Sequence, residues 1–292
     1  MTEWTRRDFT VGLAGAAAAL AWPGRGWGQG AKVPPSVFGG IQLGVQSYTF
    51  RAFGFEKMIA AMSSVGISSV ELWGDGKAHL LHPMRQSEAD FKNAKAMLDA
   101  AGITVSAYCT NFPNTVTAEY FDRAFTGAAL LGARVLTTSC EKSIMDGLDA
   151  SARKHKIKVG IHNHWFGDPW FHGDRKANFE APEDWAEAFK GRSEWLAINL
   201  DMGHFSAAGH DPVAFFRKNH SRIVAVHVKD RGGDPKHTDQ PFGQGAAPIL
   251  AFCQAMKDVK FQYAANIEYE MDESDPTEGV RQSFAYMKKA LG

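Results

Sequence analysis

The feature that most constrains this fold is a strand-like run followed by a helix-like run, repeated eight times from residue 41 onward. The predicted strands are Leu43–Phe50, Ser69–Trp73, Ile103–Cys109, Arg134–Ser139, Ile157–Ile161, Trp195–Leu200, Ile223–Val228 and Phe261–Ile267. The helices predicted after them are Phe55–Val65, Glu88–Ala101, Ala118–Leu131, Ile144–His155, Pro182–Lys190, Pro212–Asn219, Pro248–Lys257 and Pro276–Leu291. Because parallel strands need long crossover connections, this order predicts an α/β fold, a (β/α)₈ TIM barrel, as a single domain over residues 36–292. A doubly wound open sheet is disfavoured, since no G-x-G-x-x-G loop follows the first strand.

Composition and charge narrow the class of protein further. Hydrophobic residues make up 45% of the chain and charged residues 22%, which is typical of a soluble globular protein. The 32 basic residues balance the 32 acidic ones, so neither nucleic acid nor an anionic membrane surface is expected as a partner. The three cysteines, Cys109, Cys140 and Cys253, are too few for a disulfide scaffold and are expected to be buried thiols.

The first 35 residues have the character of an export signal and a linker. Arg6 and Arg7 precede the alanine-rich apolar run Val11–Trp22, which is too short to span a membrane and resembles a twin-arginine signal. An amphipathic first helix of the fold is disfavoured because Ala14–Ala21 has no polar face. The Gly/Pro-rich stretch Pro23–Pro35 is interpreted as cleavage region and linker. We therefore expect a periplasmic or otherwise exported protein with no stable membrane insertion after the signal is removed.

Ionisable and aromatic residues cluster where five predicted strands end. In chain order these residues are Glu71, Trp73, His162, His164, Asp201, His204, His227, Lys229, Glu268 and Glu270. All strand ends of a parallel barrel open on one face, and residues two apart on a strand point to one side, so the side chains are expected to converge. Imidazole and carboxylate ligands together suit Mn²⁺, Zn²⁺, Co²⁺ or Fe²⁺ better than Ca²⁺. A single such histidine, or Glu71 alone, has an ordinary structural explanation, whereas four adjacent strands with ligand-capable ends favour one bound divalent metal ion.

Several segments give the chain a resemblance to a known family. They are Leu43–Tyr48, Val70–Trp73, Leu200–His204, Val226–Asp230, Phe242–Gly245 and Ile267–Glu270. In order and spacing they resemble the xylose isomerase-like barrel superfamily, in particular its sugar phosphate isomerase/epimerase branch. The resemblance implies that Asp201, His227 and Glu268 hold a metal ion, with Mn, Zn or Co as the candidates. The fourth family ligand, usually a glutamate, is replaced here by His162.

This substitution bears on the chemistry. In epimerases of the family, the two ligand glutamates also act as the bases, whereas a metal-bound imidazole is a poor base, so a two-glutamate epimerisation is doubtful. One-sided proton transfer through an enediolate remains, which would run isomerisation or, with a modest preference, elimination or hydration as in a lyase or dehydratase. The acid/base candidates are Glu268, Glu270, His204 and Lys229. A cationic, partly desolvated site is expected to lower the pKa of Lys229 and suit it to this role, but Lys229 is equally well explained as a salt-bridge partner of Asp230 or Glu71.

The expected substrate is a small-molecule keto-sugar or glycoside. Its predicted contacts are Glu71, Trp73, His164 and Trp165. Further aromatic residues that the pattern places near the strand ends are Tyr48, Phe50, Phe112, Phe166, Trp170 and Phe171. The alternative is a non-catalytic periplasmic sugar-binding protein with a degenerate metal site, and a DNA-repair endonuclease of the same superfamily is disfavoured by the neutral charge. The sequence leaves the oligomeric state open, a homo-oligomer included.

Overall fold

A closed barrel of eight parallel strands organises the computed structural model, which describes residues 32–74, 81–168, 173–233, 238–271 and 273–292. The barrel strands are β2 (Ile41–Gln46), β3 (Ser69–Trp73), β4 (Thr104–Cys109), β5 (Val135–Thr138), β6 (Lys158–His162), β7 (Leu196–Asp201), β8 (Ile223–Val228) and β9 (Ala265–Ile267). Each strand pairs with the next, and β9 pairs with β2, which closes the ring. A short strand β1 (Val37–Phe38) adds to β2 in antiparallel fashion. The predicted (β/α)₈ TIM barrel is thus confirmed.

Helices alternate with the strands and surround them. Their bounds are α1 (Phe55–Val65), α2 (Glu88–Ala101), α3 (Ala118–Leu130), α4 (Met145–His155), α5 (Pro182–Phe189), α6 (Met202–Ala207), α7 (Pro212–Asn219), α8 (Ile249–Asp258) and α9 (Thr277–Leu291). Local chemistry sets their ends: Ser87 and Asp90 form a capping box at the start of α2, and Gly102 ends it with a φ of 76°. Most predicted bounds agree with these to within one residue.

Three differences are found, and two of them have a local cause. The first predicted strand ends at Gln46 rather than Phe50, because the Gln46 side chain accepts a hydrogen bond from Tyr48 N (3.0 Å) and starts a 3₁₀ turn. The last strand is shorter than predicted and covers only Ala265–Ile267. The six-residue helix α6 is additional; it begins directly after β7 because Asp201 caps it.

Inside the barrel, apolar packing gives way to a layer of buried polar side chains. Glu71 of β3 is bonded to Thr137 of β5 and to Asn266 of β9, and Asn199 of β7 contacts His227 of β8. All five side chains are buried. Because several of these contacts join strands that are not neighbours, they cross the barrel interior. We call this layer the polar floor; the residues at the strand ends lie directly above it.

The barrel unit begins before residue 36. Val33, which the sequence places in the linker, is buried, and its N–H donates to Ala101 O at 3.0 Å. The proposed twin-arginine segment lies in residues 1–31, outside the described residues. Cys109, Cys140 and Cys253 form no disulfide among the described residues and are buried, as predicted. Within the described parts of the chain, no helix has the length and apolar character needed to cross a membrane.

Candidate metal centre

Four side chains from four consecutive strands meet at the carboxyl end of the barrel. His162 ends β6, Asp201 ends β7, His227 lies in β8, and Glu268 follows β9. Each contributes one candidate ligand atom, and these atoms all lie within 4.8 Å of one another. All four residues are buried. The structure therefore brings together the complete set that the sequence proposed as metal ligands.

The donor atoms of this cluster fit a cation. Asp201 Oδ2, His227 Nδ1 and Glu268 Oε2 are buried and accept or donate no hydrogen bond among the described residues. His227 Nδ1 and Glu268 Oε2 are 3.2 Å apart, close enough for an ion pair but without hydrogen-bond geometry. Lys229 Nζ lies near both carboxylate oxygens, but buried polar atoms without hydrogen bonds are costly, and a bound cation would satisfy all three at once. Two imidazoles with two carboxylates are the donors that Zn²⁺, Mn²⁺ or Co²⁺ accept.

The two oxygens of Asp201 have separate tasks. Oδ1 accepts a hydrogen bond from His204 N (2.8 Å) and so caps α6, which leaves Oδ2 directed to the cluster. The Asn163 side chain holds the Asp201 backbone through Asp201 N to Oδ1 (3.0 Å) and Nδ2 to Asp201 O (3.1 Å). In the D-M-G-H sequence, Asp201 thus caps α6 with one carboxylate oxygen and presents the other as a candidate metal ligand.

Glu71 fixes the orientation of His227. The imidazole Nε2 is 2.9 Å from Glu71 Oε1, and the carboxylate is the strongest acceptor near it, so the proton lies on Nε2 and the lone pair on Nδ1. Glu71 is 0% exposed and lies beneath His227. Its carboxylate is bonded within the polar floor, and Glu71 is not among the described residues that line the cavity, so its contact with the substrate stays a prediction.

Lys229 is enclosed among the acidic groups of the site. Its Nζ lies 3.0 Å from Glu268 Oε2 and 3.5 Å from Asp201 Oδ2, and it also contacts Glu270 Oε2. Burial lowers the pKa of Lys229, but the carboxylates of Glu268, Glu270 and Asp201 outweigh it and raise that pKa well above its usual value. The expectation of a lowered pKa is corrected: Lys229 is a permanent cation. Its ion-pair partners are these three carboxylates rather than Asp230 or Glu71.

The carboxylates of the site respond differently to this environment. Burial alone raises the pKa of Glu268, yet the Lys229 ammonium and His227 hold it well below its usual value, so Glu268 is ionised. Burial raises the pKa of Glu270 to about 7, despite the opposing effect of Lys229. Glu270 is also the more open of the two, with 22% of its side chain exposed.

Both ring nitrogens of His204 face a donor. Its Nδ1 accepts a hydrogen bond from Trp165 N (3.3 Å), and its Nε2 lies 3.4 Å from Lys229 Nζ. Burial and the nearby Lys229 hold its pKa well below the usual value, so the ring is neutral. The acid/base role of His204 stays a prediction. His204 also forms a second group of ligand-capable side chains with His162 and His164.

A cavity of about 680 Å³ opens above the cluster. Its described walls are Gln46, Tyr48, Arg51, Trp73, Cys109, Asn111, Ser139, His162, His164, Asp168, Asn199, His204, His227, Arg231, Asp239, Glu268 and Glu270. The predicted contacts Trp73 and His164 are among them; Trp73 packs edge-to-face on Tyr48, with ring centres 4.7 Å apart. His164 Nε2 lies 2.9 Å from Ser139 Oγ. The volume is in the range of small-molecule sites.

Other predicted contacts lie elsewhere. Trp165 is not among the described wall residues; its indole packs so closely on Gly167 that a Cβ there would clash. Phe50, Phe112 and Phe166 are buried and also lie outside the described lining. Trp170 and Phe171 fall outside the described residues.

Sequence reasoning missed the charged wall residues Arg51, Asp168, Arg231 and Asp239. All four lie in loops, where no periodic pattern marks the direction of a side chain. Arg231 could have been predicted from its position two residues after Lys229. If the chain stays extended beyond β8, side chains two residues apart point to the same side, here the mouth of the barrel.

The F-G-Q-G motif is explained by Asp230. Its carboxylate accepts hydrogen bonds from the backbone N–H groups of Gly243 (2.8 Å), Gly245 (3.1 Å) and Ala247 (3.2 Å). A Cβ at Gly245 would collide with this carboxylate, so only glycine fits. Asp230 thereby ties the loop before α8 to the end of β8, next to the cavity.

Comparisons with known proteins identify similar chains. The "Putative L-ribulose-5-phosphate 3-epimerase SgbU" of Escherichia coli (strain K12) is 30% identical over 81 residues, which cover 26% of this chain and 28% of that protein. The chain thus matches little more than a quarter of that relative's length. The solved structure of the "probable 3-DHS dehydratase AsbF" from Bacillus anthracis superposes with a TM-score of 0.67 at 14% identity, covering 85% of this chain and 98% of that one.

A zinc-bound structure of the IOLI protein also superposes with a TM-score of 0.67, at 15% identity, covering 85% of this chain and 97% of that one. At these identities the two solved structures show a shared fold. The model of the family described as "Xylose isomerase-like TIM barrel" matches residues 59–290. With most of the chain matched, this protein belongs to the xylose isomerase-like TIM barrel family.

Proposed function

We propose that this protein is a divalent-metal-dependent enzyme that removes a proton from the carbon beside the carbonyl group of a keto-sugar or keto-glycoside. The observation that carries the proposal is the convergence of four ligand atoms from β6, β7, β8 and the end of β9 within 4.8 Å. Three of the donor atoms are buried without a hydrogen bond, an arrangement that a cation would resolve. His162, Asp201, His227 and Glu268 would hold the metal.

When bound, the metal would supply a Lewis acid that stabilises negative charge on adjacent substrate oxygens. Proton removal itself needs a base at the cavity. We assign this role to Glu270, because its carboxylate lines the cavity and is partly exposed. Lys229 contacts the same carboxylate and holds it beside Glu268. As a permanent cation, Lys229 positions the base and does not transfer the proton.

The cavity walls suit a sugar ring. Trp73 and Tyr48 offer an aromatic corner for the C–H face of the ring, and the His164–Ser139 pair offers hydrogen-bonding groups for hydroxyls. His164 lies next to His162 across a ring-centre distance of 4.7 Å. A substrate oxygen held near His162 would therefore have His164 within reach.

We propose elimination as the reaction, with isomerisation as the alternative. His162 stands where the resemblance leads one to expect a glutamate, and burial holds its pKa well below the usual value, so it is a neutral ligand rather than a second carboxylate base. The two carboxylates beside the cluster that reach the cavity, Glu268 and Glu270, both follow β9. One-sided proton removal followed by loss of a group fits this arrangement. Proteins similar to this one carry names of both classes, an epimerase and a dehydratase.

Metal analysis with matched variants tests the proposal. We expect about one metal ion per chain in the wild type and little in Asp201→Ala or His227→Ala. We expect Glu270→Gln to keep the metal and to lose solvent-deuterium incorporation into keto-sugars and keto-glycosides, followed by NMR. Glu273→Gln is the control, because Glu273 bonds to Tyr269 OH (3.0 Å) and is not part of the described cavity wall.

The outcomes separate the alternatives. A wild type that takes up no metal, even with Mn²⁺ or Zn²⁺ supplied, but still binds sugars would identify a non-catalytic binding protein. Full deuterium incorporation by Glu270→Gln would move the base to another residue. Export through the twin-arginine segment is a separate proposal: Arg6→Lys combined with Arg7→Lys should retain the protein in the cytoplasm on cell fractionation.

A further inference from the structure

A buried arginine held by two aspartates forms part of the cavity wall and is not one of the candidate metal ligands. Arg231 Nη2 lies 2.8 Å from Asp168 Oδ2, and Arg231 Nε lies 3.3 Å from Asp239 Oδ1. Asp168 comes from the loop after β6 and Asp239 from the loop after β8. Side-chain exposure is low for all three, at 6% for Arg231, 11% for Asp168 and 22% for Asp239. We call these three residues the Arg231 cluster.

The backbone holds this cluster in place. Arg231 and Asp239 form an antiparallel bridge, and Arg231 O accepts a hydrogen bond from Ala246 N (2.6 Å). Asp168 N donates to Trp165 O (3.0 Å), which closes the turn that carries its carboxylate. The cluster is thus a built feature of the cavity wall and not a chance contact of surface side chains.

Both arginines of the described cavity wall are already engaged by acceptors. Arg51 and Arg231 lie beside the four carboxylates of Asp168, Asp239, Glu268 and Glu270, and the buried Lys229 ammonium pairs with Glu268 and Glu270. The guanidinium of Arg231 is engaged by two of these carboxylates. Arg51 donates to the carbonyl oxygens of Glu270 (3.3 Å) and Met271 (3.4 Å).

Phosphate recognition requires the opposite arrangement. A dianionic phosphate group is bound by converging cations or by the N–H groups of a helix start. Here an incoming phosphate would meet aspartates that already occupy the cation, and like-charge contacts are a common way to reject a wrong ligand. Paired arginine and aspartate side chains instead offer both donors and acceptors, which sugar hydroxyls can use together.

We propose that this cavity selects an uncharged sugar, free or glycosidic, over a phosphorylated one, and that the Arg231 cluster is the subsite that binds its hydroxyl groups. The inference rests on the proposed function for the sugar class of the substrate. The Arg231 cluster determines which substrate is bound, whereas the candidate metal ligands determine which reaction that substrate undergoes.

Matched pairs of a sugar and its phosphate ester test the proposal. The probes are D-fructose with D-fructose 6-phosphate and L-ribulose with L-ribulose 5-phosphate, titrated into the full chain by calorimetry. We expect the uncharged member to bind at least about tenfold more tightly, the size of one unfavourable charge contact in a partly buried site. Asp239→Asn and Asp168→Asn should each reduce this preference about tenfold by removing one carboxylate from Arg231.

The control is Asp258→Asn, which removes a carboxylate paired with Arg217 (2.7 Å) outside the described cavity wall and should leave the preference unchanged. Circular dichroism checks the fold of each variant. Because Asp168 and Asp239 both pair with Arg231, the two substitutions test the same charge effect independently. A phosphate ester that binds as tightly as its sugar, or uncharged sugars that do not bind at all, would overturn the proposal.

The same titrations on metal-loaded and metal-stripped protein separate this inference from the proposed function. The wall carboxylates of the Arg231 cluster are not metal ligands, so the preference for the uncharged sugar should survive metal removal. A chain that takes up no metal but retains the preference contradicts the proposed function alone. A metal-binding chain that prefers the phosphate ester contradicts the inference alone.

Discussion

Replacing Glu71 by glutamine should weaken metal binding, although Glu71 is not one of the four candidate metal ligands. Its carboxylate has four partners: His227 Nε2 (2.9 Å), Thr137 Oγ1 (2.6 Å) and Gln46 Nε2 (3.3 Å) meet Oε1, and Asn266 Nδ2 (2.8 Å) meets Oε2. Every partner is a donor, so the site is built for an acceptor-only group. Glutamine has the same shape but brings two N–H donors of its own.

The cost follows from these contacts. In the better of its two orientations, the glutamine oxygen keeps the three donors at Oε1, and its NH₂ group then faces the NH₂ group of Asn266. One hydrogen bond is lost and two buried NH₂ groups face one another, which should destabilise the fold by about 1–3 kcal/mol. The neutral amide also no longer increases the basicity of His227, and loss of such an outer carboxylate weakens metal binding by about 10–100-fold. That range corresponds to about 1.4–2.7 kcal/mol.

Competition between the metal-stripped protein and a chromophoric chelator for Zn²⁺ and Co²⁺ measures this effect. Urea unfolding of the same preparations measures the change in stability. Thr137→Val is the matched control: it removes one hydrogen bond to Glu71 (2.6 Å) but leaves the carboxylate and its contact with His227. We expect it to lower stability with little change in metal affinity.

Two results would refute the reasoning. One is a Glu71→Gln protein that is folded and binds metal within about twofold of the wild type, which would mean that Glu71 does not fix the His227 tautomer. The other is an equal loss of affinity in Thr137→Val, which would assign the effect to general loosening of the polar floor.

Three further substitutions test the local architecture. Asp201→Asn should keep α6, because asparagine caps a helix as well as aspartate does. Its metal affinity should fall by more than the roughly 100-fold expected when a residue outside the ligand set is changed. Stoichiometric metal on elemental analysis would contradict this. Gly203→Ala places a Cβ 2.8 Å from both Cβ and O of Lys229 and should destabilise the fold by about 1–3 kcal/mol, so an unchanged urea midpoint would count against it. Asp230→Ala leaves three N–H groups of residues 243–247 without their acceptor, and we expect a loss of about 1–3 kcal/mol with faster hydrogen exchange confined to that loop.

The sequence was sufficient for the barrel and for the convergence of the metal ligands. Both follow from regular geometry: crossover helices make the strands parallel, and the ends of parallel strands in a closed barrel meet on one face. The positions of His162, Asp201, His227 and Glu268 at the ends of successive strands therefore predict that they are neighbours. The structure places them together, three on strands β6, β7 and β8 and Glu268 at the position directly after β9.

The depth and charge of individual side chains could not be predicted in this way. The pairing of β3 with β4 is irregular between Val70 and Glu71, so simple alternation does not determine the level that the Glu71 carboxylate reaches. For Lys229, the sign of the pKa shift depends on how many carboxylates surround it. The sequence suggested a cationic surrounding, whereas the structure places three carboxylates around its Nζ.

These two buried groups act on the same ligand set from opposite sides. Glu71 lies below His227 and attracts its Nε2 proton, while Lys229 lies beside Asp201 and Glu268 and offsets their negative charge. Burial would lower the pKa of His227, but Glu71 and Glu268 raise it well above the usual value. A second proton on this ring, at Nδ1, would occupy the lone pair that a metal ion needs, so proton and cation are alternative ways of balancing the same carboxylates. Under the proposed function, a divalent cation balances the excess of carboxylates over Lys229 and binds three donor atoms that have no hydrogen bond among the described residues.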